Sequence, residues 1–168
     1  ADETGRRVAS VDYRRAPEYP FPCAVEDCYQ VARAIYLDVE ALRALDERIC
    51  LVGDSAGGNI AAAVSLMARD RGEFQVGRQI LIYPATYDDH SPASPFPSIV
   101  ENGTDYLLTS KKICDYIDLY VPDPAQRKSP YFAPLLAASL KDQPESLVVT
   151  AQYDPLRDEG EAYARALA

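Results

Sequence analysis

Ser55 stands at the centre of Gly53-Asp54-Ser55-Ala56-Gly57, a Gly-x-Ser-x-Gly stretch with an apolar run at 49–52 before it and the small-residue run 58–63 after it. A serine hydroxyl is a weak nucleophile. It becomes an effective one where a sharp turn lifts it above a sheet edge toward a base, and attack on an acyl carbonyl is the chemistry that turn serves. Glycines two residues either side would let the neighbouring backbone approach without a Cβ clash. A glycine-rich turn could instead cradle a phosphate or merely change direction. The strand-like run before and the helical run after favour the nucleophile. A second candidate is Asp154, which follows the apolar run 146–151 and precedes Pro155. Asp-Pro also suits a helix N-cap with proline in the first turn. The order serine then aspartate, each just after a strand, favours an acid that orients a histidine. Asp158 and Glu159 read as acids serving the dipole of the last helix. His90, the single histidine, sits in Tyr87-Asp88-Asp89-His90 and reads as a loop or surface residue.

These residues must be positioned by alternating strands and helices. Residues 7–13 read as a strand, followed by a turn-rich segment through Pro22. A helix should begin near Pro22, with Val25, Cys28, Val31, Ala32 and Ile35 at helical spacing. A shorter helix is expected around 39–45, then the strand at 49–52. The helix after Ser55 should run through Ala62, Val64, Leu66 and Met67 and stop at Gly72. Residues 79–83 and 146–151 read as the third and fourth strands, and 156–167 as a final helix. Apolar strands separated by helices predict a parallel sheet covered on both faces. Residues 91–98 hold three prolines in eight positions and should lack regular structure. Thr109 can cap a helix carrying Ile113, Tyr116, Ile117 and Tyr120. Residues 91–130 thus read as an excursion from the sheet, a lid-like insertion within a single domain spanning 1–168; a plain surface loop with one packed helix is the alternative.

The chain has 168 residues, enough for one domain with a real core. A net charge of -9 argues against nucleic acid or an anionic membrane as a partner. No apolar run approaches a membrane span and no signal peptide opens the chain. Cys23, Cys28, Cys50 and Cys114 show no CxxC spacing, and with one histidine they argue against a zinc site. A reduced, cytoplasmic protein is expected, with neither metal nor organic cofactor.

The motifs 53–58 and 154–160 together resemble those of the hormone-sensitive-lipase-like (bacterial family IV) esterases of the α/β-hydrolase fold. Tyr13-Arg14-Arg15-Ala16-Pro17-Glu18 is similar to the family's Tyr-Arg-Leu-Ala-Pro-Glu segment, departing at Arg15, and Tyr83-Pro84 and Ser129-Pro130 also stand in family positions. The resemblance implies an α/β fold and a carboxylic ester hydrolase acting on short to medium acyl esters. It implies Ser55 as nucleophile, Asp154 as the acid, the Ala56 N–H as an oxyanion donor, and Asp54 as a group near the site. The tyrosines Tyr116 and Tyr120 would face an apolar acyl pocket.

Two expected parts are not found in these residues. No histidine follows Asp154, although the order implied is serine, aspartate, histidine, and no His-Gly-Gly-Gly oxyanion loop precedes Val8. The chain is therefore expected to be the middle of an esterase, inactive by itself, with an apolar sheet edge that self-associates or recruits segments of a longer chain. A non-catalytic small-molecule receptor of the same fold, and a peptidase, remain alternatives.

Overall fold

The computed structural model describes residue 3 and residues 5–37 and 49–168; the helix expected around 39–45 lies outside them. Three five-residue strands, β1 (Cys50–Asp54), β2 (Arg78–Ile82) and β3 (Glu145–Val149), form a parallel sheet in the order β1-β2-β3. Val52 pairs with Ile80, and Ile80 with Leu147, so the C-terminal ends of all three strands share one edge. Helix α1 (Cys23–Leu37) precedes the sheet. Helix α2 (Ala56–Arg71) follows β1 directly, α3 (Ser98–Glu101) and α4 (Ser110–Tyr120) fall between β2 and β3, and α5 (Arg157–Leu167) comes last.

The core forms around α2, where every residue from Gly58 to Ala68 is buried. Its small residues allow this, because Ala61, Ala62 and Ala63 let the helix lie close to the sheet on one side and to α1 on the other. Ala61 and Ala62 meet Leu81 of β2 and Tyr163 of α5. Ala63, Val64 and Met67 meet Val25 and Tyr29 of α1, together with Phe132. The helix ends where expected: Gly72 takes φ 65, and its N–H donates to the Ala68 carbonyl at 3.0 Å.

Four expectations need correction. Residues 7–13 pair with no strand among the described residues, and Val8 is largely exposed. An apolar extended pattern becomes a strand only where a neighbour supplies a ladder. This segment is anchored instead through Arg14, whose guanidinium and backbone N–H clasp Asp27 on α1 at 2.7–3.0 Å and hold that carboxyl down to about 2. The sheet is covered on one face only among the described residues. Alternate residues face α2 and α5, while Val52, Leu147 and Val149 on the other face remain exposed. In α1 the buried stripe is Val25, Tyr29, Ala32 and Tyr36, with Val31 exposed. The tyrosines can be buried because their hydroxyls donate to Glu73 and to the Ile49 carbonyl.

The fourth correction concerns the excursion. Residues 91–97 have no helix or strand, as their prolines require, but Ser98 begins the short α3. Its start is fastened to the segment around α5: Ser98 N donates to Asp158 at 2.8 Å, and Ser98 Oγ donates to the Pro155 carbonyl at 2.7 Å. Asp158 is therefore an anchor for another helix, not simply an acid at the end of its own. Helix α4 begins as the sequence suggests, with the Thr109 hydroxyl accepting from Lys112 N at 3.2 Å.

Candidate active site

Ser55 joins β1 to α2 with φ 51 and ψ -119. An L-residue meets a steric penalty there, of order 1–3 kcal/mol, and such strain persists only where the surroundings impose it. Here they do. Ser55 N donates to the Ile82 carbonyl of β2 at 2.9 Å, and its own carbonyl accepts from Asn59 N at 3.0 Å. The Ser55 side chain takes no part in capping α2, so its hydroxyl is left for other partners. Ala56 is the first residue of α2, and a helix's first N–H groups have no partner within the helix.

The glycines divide unequally. A Cβ on Gly53 would lie 2.1 Å from the Gly57 oxygen and 2.7 Å from Gly58 N, and one on Gly58 would meet Pro84 at 3.0 Å. A Cβ on Gly57 would meet nothing within 4 Å. The motif's second glycine is thus not needed for close approach, contrary to the sequence expectation; Gly58 has that role. Gly53→Ala should cost about 3 kcal/mol or more in denaturant unfolding, because only backbone could move aside. Gly57→Ala should stay within about 1 kcal/mol of the native protein. Equal losses at the two positions would contradict this account of the turn.

Ser55 and Ala56 open onto a cavity of about 320 Å³. Its apolar wall comes from α4 and its approach, chiefly Leu108, Ile113, Tyr116, Ile117 and Tyr120, with Phe132 behind. The tyrosines expected there on sequence grounds are present. Tyr13 and Arg15 form another part of the rim, and Tyr87 and His90 a third. Asp54, the last residue of β1, is exposed; after burial and Cys28, its charge helps raise the Tyr13 hydroxyl's pKa.

Asp154 follows β3 at the same sheet edge. Its Oδ1 accepts from Leu156 N at 2.9 Å, while Oδ2 has no hydrogen-bond partner among the described residues. Burial, and after it the nearby charge of Glu159, holds its carboxyl above the usual range against the pull of that N–H. Asp154 is not among the residues lining the cavity; its hydrogen-bond partner Leu156 is.

His90 lies in a loop, one of the two readings the sequence allowed, but it is buried there. It is 2% exposed, not a surface residue, and Nε2 lies 2.8 Å from Glu159 Oε2 without the alignment of a hydrogen bond. Glu159 is fully buried, so it cannot be just an exposed first-turn acid. Its Oε1 accepts from Thr86 N at 2.5 Å and Tyr87 N at 3.1 Å. Asn59, which the sequence reading passed over, is also structural to the site: its amide donates to the carbonyls of Ala85 at 2.8 Å and Phe132 at 2.7 Å. An asparagine among alanines one turn beyond the serine was the available signal. Among the described residues no three His, Cys, Asp or Glu side chains gather as a metal site.

A strained serine between a parallel strand and a buried helix, opening on an apolar cavity, has the strand–turn–helix geometry that a nucleophile elbow requires. The chain belongs to the alpha/beta hydrolase fold family, whose model matches residues 1–168. It is 42% identical to an arylesterase of Saccharolobus solfataricus, covering 94% of this chain and 50% of the relative. It is 40% identical to the carboxylic ester hydrolase LipN of Mycobacterium tuberculosis, covering 96% and 43%. Among solved structures, a hyperthermophilic esterase from Pyrobaculum calidifontis superposes with TM-score 0.86 at 46% identity, covering 94% of this chain and 51% of that one. The chain spans about half the length of the curated relatives it matches.

Proposed function

We propose that the protein is a carboxylic ester hydrolase that works through a serine acyl-enzyme on short to medium acyl esters. The observation that carries this is Ser55 at φ 51 and ψ -119, held between β1 and α2 beside an apolar cavity. The relatives named as arylesterase and carboxylic ester hydrolase support the same reading. Ser55 Oγ attacks the ester carbonyl carbon as its proton passes to a base. The Ala56 N–H steadies the oxyanion, collapse expels the alcohol with that proton, and water then releases the acid. Asp154 orients the histidine that serves as base, a residue that the longer protein supplies, and balances its charge; Asp54 stands near the site without touching the reacting atoms. Residues 91–130 act as a lid, since α4 supplies the acyl wall. The protein works in the cytoplasm and needs no metal. No helix among the described residues is long and apolar enough to cross a membrane.

The test is a series of p-nitrophenyl esters of increasing acyl length with the complete protein, alongside covalent labelling by a fluorophosphonate. Hydrolysis should be fastest for short to medium acyl chains and fall for long ones, and the label should map to the peptide containing Ser55. Labelling at another residue, or a rate that climbs steadily with chain length, would overturn the assignment.

A further inference from the structure

Glu159 pairs full burial with contacts to three residues of one loop. Its carboxylate accepts the backbone N–H groups of Thr86 and Tyr87 through one oxygen and faces His90 through the other, and its carbonyl accepts the Thr86 hydroxyl at 3.1 Å. Residues 85–90 form the loop that brings Ala85, Tyr87 and His90 to the Ser55 cavity. A glutamine could accept both N–H groups with a single amide oxygen. An alanine could accept neither, and would leave both N–H groups buried without a partner.

We propose that Glu159 is a positioning residue for ester hydrolysis: it locks the 85–90 wall of the cavity to α5 by accepting from Thr86 and Tyr87 through one oxygen while the other faces His90. This rests on reading Ser55 and Asp154 as nucleophile and acid. Several charged or titratable groups surround it. His90 faces it from the loop after β2, with Asp89 and the Asp88–Lys128 pair beyond. Asp154, on the loop after β3, has its pKa raised chiefly by burial and in lesser part by the nearby Glu159. On α5, Asp158 is engaged by Arg157 and Ser98. From α4, the Cys114 thiol donates to the His90 carbonyl at 3.7 Å.

The experiment compares Glu159→Gln and Glu159→Ala in the complete protein, by hydrogen exchange at Thr86 and Tyr87 and by kcat and KM measured separately. Glutamine should preserve slow exchange and keep KM within about threefold. Glutamine keeps an oxygen for both N–H groups, so kcat should also stay within about threefold of native. Alanine should speed exchange at the two amides and lower kcat by about tenfold or more. A folded Glu159→Gln protein that exchanges as fast as Glu159→Ala overturns the proposal, as does unchanged exchange or native kcat in Glu159→Ala. If alanine prevents folding, the glutamine variant decides. If the native protein shows no hydrolysis that depends on Ser55, the esterase reading fails by itself, and exchange still judges the lock.

Discussion

Ser55→Ala in the complete protein should abolish ester hydrolysis, with kcat falling about a million-fold in line with loss of the nucleophile in other serine hydrolases, while the thermal midpoint moves by no more than a degree or two. The two halves of this expectation come from different atoms. The hydroxyl makes no capping hydrogen bond to α2, so its removal leaves the helix start as it was. The strained φ and ψ are imposed by the backbone, through Ser55 N to Ile82 and Ser55 O to Asn59, and alanine must adopt the same angles at much the same cost. Activity and stability therefore separate at this position. Residual turnover close to the native rate would remove Ser55 from the chemistry. A large fall in the midpoint would mean instead that the hydroxyl carries structural weight not visible in its contacts.

The sharp turn at Ser55 was legible in the sequence because all its determinants are local. An apolar strand, a glycine with no room for Cβ at position 53, and a run of small residues suited to close packing occupy fewer than twenty consecutive positions. The end of α2 at Gly72 and the start of α4 at Thr109 were legible for the same reason. What could not be read is set by partners distant in the chain. Thr86 and Glu159 are 73 residues apart, and nothing in Tyr87-Asp88-Asp89-His90 marks the histidine as the one that turns inward. Polar neighbours suggested a surface. The loop is in fact drawn into the protein by Glu159 and by the Thr86 carbonyl, which accepts from Leu135 N at 2.9 Å. The apparent strand at 7–13 failed for the opposite reason: its pattern is local, but a strand depends on a neighbour. Gly57 shows the limit of motif reading itself, since the pattern contains a glycine that the packing does not require, while Gly58 just outside it meets Pro84.

Asp154→Asn separates the two readings that the sequence left in competition, a helix-start residue and a catalytic acid. Asparagine retains an oxygen able to accept from Leu156 N, the contact Asp154 Oδ1 makes at 2.9 Å, and it is as good as aspartate at helix starts. If local capping were the whole role, the substitution would be nearly silent. If Asp154 holds a histidine in its working tautomer, kcat should fall by about ten-thousand-fold, as it does when the equivalent acid is made an amide in a serine protease. Stability should move the other way. The folded state holds the Asp154 carboxyl above its ordinary pKa, chiefly through burial. The unfolded chain thus gives up this proton more readily, and the group lowers stability as pH rises through and beyond the ordinary carboxylate range. A neutral amide removes that penalty, so the variant's midpoint at neutral pH should equal or exceed that of the native protein. A rate within tenfold of native would return Asp154 to a purely structural role. A slow but more stable variant is the signature of a carboxylate kept at a cost to the fold for its charge.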